Sequence, residues 1–212
     1  MAQRYAIITE ADARNLPVGS SVELEKGGHV TPLAQDTLRE RRVTVIVGGP
    51  IDPALPADLA PVSPARRIAI GSDHTGLAMK DALIAAFRRQ GLAVTDYGTN
   101  STDAVDYPDI AGRVANAVAR AEADAGIVID GAGIGSTIAA NKIDGIRAAM
   151  CLTQTIARYA REHNGANVAA LGSTMISIDE ALAIAHIFLT TPTREPRYLR
   201  RLLKVRELER GR

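Results

Sequence analysis

The sequence predicts an α/β fold in which helices cover both faces of a doubly wound parallel sheet of about five strands. After residue 65, short apolar runs alternate with segments of helical length and helical periodicity. Uninterrupted apolar runs are typical of strands that are buried on both faces, as in parallel sheets. Only 3% of the residues are aromatic, so small and branched aliphatic side chains must build the core.

The elements follow from this alternation. Residues 67–71 form the first buried strand, and an apolar stripe from Leu77 to Phe87 marks a helix that ends near Gly91. Because ligands of such sheets bind beyond the carboxyl ends of the strands, we expect the chemistry in the loops that follow them. The remaining predictions are strand 93–96, helix 110–121, strand 126–130, helix 136–142, strand 146–151, helix 155–163, strand 167–171, helix 179–189 and a basic C-terminal helix.

A proline-rich stretch divides the chain. Residues 50–64 contain five of the ten prolines, and proline fixes φ and removes a backbone donor. We therefore interpret residues 50–65 as a semi-rigid linker. It separates a small N-terminal α+β extension, residues 1–49, from a main domain, residues 66–212.

The extension carries its own local signals. Thr9 and Asp12 can cap a short helix, and Thr31 followed by Pro32 is a typical helix start. Strands are predicted at 22–24 and 43–47, with the second helix ending near Arg41. A unit of this size is only marginally stable as an independent domain. We therefore expect it to pack against the main domain or against another protein.

The composition excludes several function classes. A formal net charge of +1 gives no reason to expect nucleic acid or an acidic membrane as a partner. No apolar run is long enough to cross a bilayer, and the chain does not start like a signal peptide. The single cysteine, Cys151, excludes an intrachain disulfide. We expect a soluble, cytoplasmic protein.

The charge is concentrated at the C-terminus. Residues 194–212 carry eight basic and three acidic side chains. Such a run is either a solvated terminal helix or a source of arginines that bind an anionic ligand.

The loop from Asp130 to Ser136 is the most informative segment. Gly131, Gly133 and Gly135 allow backbone amides to turn toward a phosphate or an oxyanion. A dinucleotide loop would follow the first strand and require an acidic residue at the end of the next strand, and neither condition is met. Asp130 is then either a turn cap or a carboxylate base beside an oxyanion hole.

Two other pairs stand at ends of elements. Asp73 and His74 follow the first strand of the main domain, where ligands gather. His163 and Asn164 end a helix, where a capping role is the alternative to a functional one.

Together these motifs resemble a known family, that of ribose-5-phosphate isomerase B and the related galactose-6-phosphate isomerase subunits. The resemblance covers about residues 66–210 and implies a doubly wound, Rossmann-like sheet and no cofactor. It rests on Gly71-Ser-Asp-His-Thr-Gly76, Asp106-Tyr-Pro108, the run from Gly131 to Lys142, Gly145-Ile-Arg-Ala148, His163-Asn164 with Asn167, and Arg197 followed by Arg201.

The resemblance implies a role for each site residue. Asp73 and His163 correspond to residues that open and orient the sugar ring, with Asp130 as the third catalytic group. The amides of Gly131, Gly133 and Gly135 correspond to the anion hole. Phosphate contacts are implied for His74, Arg197 and Arg201, some of them across a dimer interface, and substrate contacts for Tyr107 and Asn164.

Four positions depart from the family pattern. Asp130 stands where the family often has a catalytic cysteine, and Ala132 where it commonly has a threonine. Thr174 replaces a frequent basic residue, and Ser136 stands where a related branch has a glutamate base. Asp130 is thus the only carboxylate in this loop, and a shifted substrate, a pentose or a tetrose phosphate, is expected.

We therefore expect an isomerase of a small phosphorylated sugar of the pentose phosphate type, acting through a cis-enediolate. The alternatives are a catalytically silent sugar-phosphate-binding or regulatory protein on the same scaffold, and a structural component recruited through the N-terminal extension. A homodimer or tetramer is expected. The extension, residues 1–49, is similar to short stretches of some bacterial microcompartment enzymes, which indicates a docking role and a microcompartment as the alternative location.

Overall fold

The computed structural model describes residues 4–47, 59–193 and 195–210. Residues 50–58 of the predicted linker, together with Arg194 and Arg212 of the basic tail, lie outside this part. No helix of the described residues is both long and apolar enough to pass through a membrane.

The N-terminal extension is a small parallel α/β unit and not the predicted α+β unit, because an additional strand at its start pairs in parallel with the next one. Its strands pair in the order β1-β2-β3, and both neighbouring pairs are parallel. The helices pack on the sheet over a small core that includes Ile8, Leu24 and Leu38. The elements are β1 (Arg4–Ile8), α1 (Glu10–Asn15), β2 (Ser21–Val30), α2 (Pro32–Glu40) and β3 (Thr44–Val47).

Both predicted helix starts of the extension are confirmed. The Thr9 hydroxyl accepts from the Asp12 amide, and the Asp12 carboxylate accepts from the Thr9 amide over 2.9 Å. Pro32 lies in the first turn of α2 after an extended Thr31. Strand β2 is longer than predicted, because the left-handed Gly27 (φ 87°) and a shift in the β1–β2 register let it continue past an irregularity.

The main domain has the predicted five-stranded parallel sheet. Its strand order is β5-β4-β6-β8-β7, so β7 is an edge strand. The elements are β4 (Arg67–Ser72), α3 (Leu77–Arg89), β5 (Ala93–Asp96), α4 (Tyr107–Ala119), β6 (Ala125–Asp130), α5 (Ile134–Ala140), β7 (Ala148–Met150), α6 (Gln154–Asn164), β8 (Val168–Gly172), α7 (Ile178–Thr190) and α8 (Pro196–Arg210).

Side-chain alternation along the strands produces the two buried faces. In β4, Ile68 and Ile70 belong to the core under α3, α6 and α7. Ala69, between them, belongs to the core under α4 and α5. Both faces of the sheet are therefore covered, which confirms the doubly wound architecture.

The predicted boundaries differ from the structure mainly at helix starts. Helix α4 begins at Tyr107 instead of residue 110, because Pro108 fits the first helical turn. Helix α5 begins at Ile134 instead of residue 136, after a left-handed Gly133. Both shifts bring the first turn of a helix to the carboxyl edge of the sheet, where the loops predicted to carry chemistry lie.

Candidate active site

Three strand ends meet at the carboxyl edge of the main sheet. Asp73 follows β4, and its amide donates to the Ile129 carbonyl of β6 over 2.9 Å. Ser173 follows β8, and its amide donates to the Asp130 carbonyl over 2.8 Å. The Thr75 and Ser173 hydroxyls lie 3.2 Å apart. The loops after β4, β6 and β8 thus form one connected floor.

The Asp130 carboxylate organises the glycine loop from within. Oδ1 accepts from the Ala132 amide over 2.9 Å and from the Gly133 amide, and Oδ2 accepts from the Ser136 amide over 2.7 Å. The side chain is buried, with 5% exposed. Since a carboxylate has about four lone-pair sites, these three donors leave one site, on Oδ2.

This arrangement changes the expected use of the loop amides. The Gly133 amide donates to the Asp130 carboxylate. It therefore does not turn outward toward a ligand, which is the orientation predicted from the sequence. Gly131 and Gly135 are not among the donors to that carboxylate. The physical reason is that a buried carboxylate requires its own donors, and the nearest amides supply them.

Tyr107 closes the loop from the side of α4. A Cβ atom at Gly135 would lie 2.6 Å from Cζ of the Tyr107 ring, so the ring lies directly on the glycine backbone. Tyr107 is 40% exposed and therefore forms part of the rim of this edge.

Asp73 and His74 are held by their own turn. Asp73 Oδ1 accepts from the Thr75 amide over 2.9 Å, the Thr75 hydroxyl over 2.6 Å and the Gly76 amide over 3.2 Å. His74 Nδ1 accepts from the Val105 amide over 3.4 Å. This contact leaves the Nε2–H of His74 as a donor. Both residues lie at the carboxyl edge, as predicted.

His163, Asn164 and Arg201 lie elsewhere. They line a cavity of about 350 Å³ together with Asn141 and Ala148. Ala148 is the first residue of β7, so this cavity opens at the amino edge of the sheet. The reason is topological: α6 starts near the carboxyl end of β7 and returns to the amino edge before β8 begins.

Aromatic stacking orders the predicted site residues at the amino edge of the sheet. The His163 ring stacks on Tyr159 with centroids 4.6 Å apart and contacts Tyr198 of α8 at 4.5 Å. The guanidinium of Arg201 lies 5.8 Å from the Tyr198 ring centroid. Arg197 is held by its neighbours, since its Nη2 donates to the Tyr198 hydroxyl over 2.8 Å and its Nε lies 3.3 Å from Glu195 Oε2.

Within a single chain, the predicted site residues therefore lie in two separate groups. Asp73, His74, Tyr107, Asp130 and the glycine loop lie at the carboxyl edge. His163, Asn164, Arg197 and Arg201 lie at the amino edge and on α8.

Sequence reasoning missed Lys80. Its side chain is fully buried, and Nζ contacts both oxygens of Asp96 at 2.8 and 2.7 Å and the Thr99 carbonyl at 2.7 Å. It fixes the loop after β5, which borders a cavity of about 610 Å³ whose lining includes Val105 and Asp106. The sequence carried one signal that Lys80 is buried. It lies four residues before Ile84, on the apolar stripe of α3.

Thr75 and Ser173 were also missed, and Thr174 was noted only as a departure from the family pattern. The Thr174 hydroxyl donates to the Gly131 carbonyl over 2.7 Å, so this residue, where the family often has a basic one, supports the glycine loop. Ser173 and Thr174 directly follow β8, and Thr75 lies three residues after the end of β4. Both loops were expected to carry chemistry, and that position was the signal for these residues.

Cys151 does not replace the missing catalytic cysteine. It is fully buried after β7, and burial raises the pKa of its thiol to about 12. It therefore remains a protonated thiol at neutral pH. Among the residues of the described ranges, no cluster of three potential metal ligands occurs.

The fold and the polar groups at this carboxyl edge are typical of α/β enzymes that bind a small polar ligand beyond the ends of parallel strands. The family model described as Ribose/Galactose Isomerase matches residues 68–205. The chain belongs to the ribose/galactose isomerase family.

Curated relatives and solved structures agree with this assignment. Ribose-5-phosphate isomerase B of Escherichia coli is 39% identical over 147 residues, which are 69% of this chain and 99% of the relative. A solved Clostridium thermocellum ribose-5-phosphate isomerase B is 43% identical with a TM-score of 0.67, covering 68% of this chain and 98% of that one. The Mycoplasma genitalium enzyme with bound ribulose-5-phosphate is 37% identical with a TM-score of 0.66, covering 69% and 97%. These neighbours confirm the Rossmann-like fold.

Proposed function

We propose that this sugar-phosphate isomerase interconverts ribose 5-phosphate and ribulose 5-phosphate through a cis-enediolate. The observation that carries the proposal is the buried Asp130 carboxylate inside a glycine loop, beside Asp73 and His74 at one edge of the sheet. A relative 37% identical to this chain is described with bound ribulose-5-phosphate, which supports the choice of sugar.

Asp130 acts as the base in this proposal. It removes the proton from C2 of the open-chain aldose, and the electron pair forms the C1–C2 double bond with negative charge on O1. The C2 hydroxyl proton then passes to O1, and Asp130 returns its proton to C1 as the C2 carbonyl forms, which yields the ketose. The lone pair left on Asp130 Oδ2 is the acceptor, and the amides of Gly131 and Gly135 stabilise the developing charge.

Asp73 and His163 open the sugar ring and orient the chain before proton transfer. Asp73 Oδ1 is engaged by its own turn, so Oδ2 is the atom that accepts from the sugar hydroxyl. Tyr107 and Asn164 contact the substrate, and His74 donates to its phosphate through Nε2.

We propose that a second copy of the chain completes the site. The amino-edge residues His163, Asn164, Arg197 and Arg201 then serve the carboxyl edge of the partner, in an isologous homodimer. The exposed apolar side chains of Ile138, Ile156 and Tyr159, on α5 and α6 beside the edge strand β7, support this assembly, because they are 57%, 42% and 46% exposed in the single chain.

A panel of four- to six-carbon sugar phosphates tests the activity. We expect the highest kcat/KM with ribose 5-phosphate and ribulose 5-phosphate. If the protein instead turned over a four-carbon substrate, a change of substrate would explain why it lacks the hydroxyl group at Ala132 and the basic group at Thr174. Tight phosphosugar binding without turnover of any substrate would favour the catalytically silent alternative.

For the extension, we propose docking to a partner in the cytoplasm, with a bacterial microcompartment as the specific candidate. Residues 4–47 have their own core, and none of the hydrogen bonds or ion pairs within the described ranges joins them to the main domain. Co-fractionation of the full chain with microcompartment shells, compared with a chain that lacks residues 1–49, tests this proposal.

A further inference from the structure

The last part of the predicted linker is attached to the main domain. Here residues 59–65 are called the strap. The Ser63 hydroxyl donates to the Thr190 carbonyl over 2.9 Å, and the Ala65 amide donates to the Leu189 carbonyl over 2.9 Å. Ser63 and Ala65 thereby fix the strap to the end of α7.

Two arginines of the main domain bind the carbonyls of the strap. Arg147 donates through Nη2 to the Leu59 carbonyl over 3.3 Å and through Nε to the Gly165 carbonyl over 2.8 Å. Arg161, which is fully buried, donates through Nη2 to the Val62 carbonyl over 2.7 Å. A guanidinium with a rigid fork of donors suits this bridging of separate carbonyls. Arg147 thus connects Leu59 directly with Gly165, the residue after Asn164.

An apolar contact reaches the same place. The Leu59 side chain, 2% exposed, packs with Leu199 and Leu202 of α8. Leu202 in turn lies on Gly165, where an added Cβ would stand 2.5 Å from Leu202 Cδ1. Helix α8 therefore packs between the strap and the end of α6.

These contacts converge on the amino-edge part of the site. Arg201 directly precedes Leu202, and Asn164 directly precedes Gly165. The family match begins at residue 68, after the strap, so the strap is an addition to the matched region.

We propose that the strap is a positioning element for the substrate phosphate, with Leu59 as its main positioning residue. The Leu59 side chain acts on Arg201 through Leu202, and the Leu59 carbonyl acts on Asn164 through Arg147 and Gly165. This inference rests on the proposed function in so far as Arg201 and Asn164 bind the substrate.

The test uses the full-length chain with Leu59→Ala. We expect the KM for ribose 5-phosphate and the Kd of inorganic phosphate each to rise about tenfold, with kcat changed less than about twofold, since small displacements of binding groups weaken binding steeply. Val62→Ala is the matched control, because its side chain is 55% exposed and the strap uses its carbonyl. The control should behave like the wild type.

Leu59→Val covers the case in which Leu59→Ala does not fold, and it should shift both constants in the same direction by a smaller factor. A folded Leu59 variant with the wild-type Kd for phosphate would overturn the proposal, as would equal shifts in Val62→Ala. If the wild type does not convert ribose 5-phosphate, the proposed function fails, and the phosphate titration still decides the role of the strap. A wild type that does not bind phosphate also overturns it, because no anion site would then exist to be positioned.

Discussion

Oδ2 of Asp130 lies 2.7 Å from the amide nitrogen of Ser136, and this contact ties the end of β6 to the first turn of α5. The residue that we propose as the base is therefore also the residue that shapes the glycine loop. Any substitution of Asp130 has two effects, one on proton transfer and one on loop stability. Separate measurements can distinguish them.

Asp130→Asn should lower kcat by a factor of about 10² to 10⁴, the range usual for loss of a general base. The exchange of the C2 proton with solvent, followed by NMR, should be lost with it. The free energy of unfolding should also fall, because an amide cannot accept from three backbone donors as a carboxylate does. Asp109→Asn, an exposed change on α4, is the control. Near-normal turnover of a folded Asp130→Asn protein would remove this residue from the mechanism.

Arg201→Ala should raise KM about 10- to 150-fold, since a charge-assisted contact to phosphate is worth about 1.5–3 kcal/mol. Steady-state kinetics with ribose 5-phosphate measures the change, and kcat should change much less. Arg200→Ala lies next to it on the same helix and should have little effect. Equal, small changes at both positions would mean that α8 is only a solvated basic helix.

The composite site predicts complementation between two variants that are each impaired at low substrate concentration. Asp130→Asn damages the carboxyl-edge group and Arg201→Ala the amino-edge group. Unfolded and refolded together in equal amounts, they should regain about one quarter of the wild-type activity at low substrate concentration, since half of the dimers are mixed and each has one intact site. Light scattering should show a dimer throughout. A mixture no more active than its parents would place both groups in the site of one chain or exclude the dimer.

Gly135→Ala should destabilise the protein by about 1–3 kcal/mol, because overpacking forces neighbouring groups to move. The new Cβ would stand 2.6 Å from the Tyr107 ring. In a Tyr107→Ala background the same change should cost much less, and urea unfolding of the four proteins measures the difference. The control is Gly112→Ala in α4, where a Cβ meets nothing within 4 Å, so it should stabilise by about 0.5–1 kcal/mol. An equal cost of Gly135→Ala in both backgrounds would show that Tyr107 does not cause it.

The sequence by itself determined the main fold and the edge of the sheet at which the candidate site was sought. Apolar runs such as 67–71 predict buried strands because local side-chain periodicity is a property of the chain. The helix starts at Thr9 and Pro32 were predicted correctly for the same reason, because the signals for a helix start are also local. The loops after β4 and β6 were expected at one edge, since parallel strands place their carboxyl ends together. The buried Lys80 shows the limit of this reasoning, because its partner Asp96 lies on a neighbouring element.

Only the tertiary structure decided how the site residues are distributed and connected. It placed His163 and Arg201 at the amino edge, because the direction of α6 and the docking of α8 depend on packing between distant segments. It engaged the Gly133 amide with Asp130, because the burial of that carboxylate depends on the strands around it. It also attached residues 59–65 to the main domain, where proline content alone predicts a linker. Leu59 finds its partners Leu199 and Leu202 about 140 positions later in the chain, and contacts over such a distance are not encoded in local periodicity.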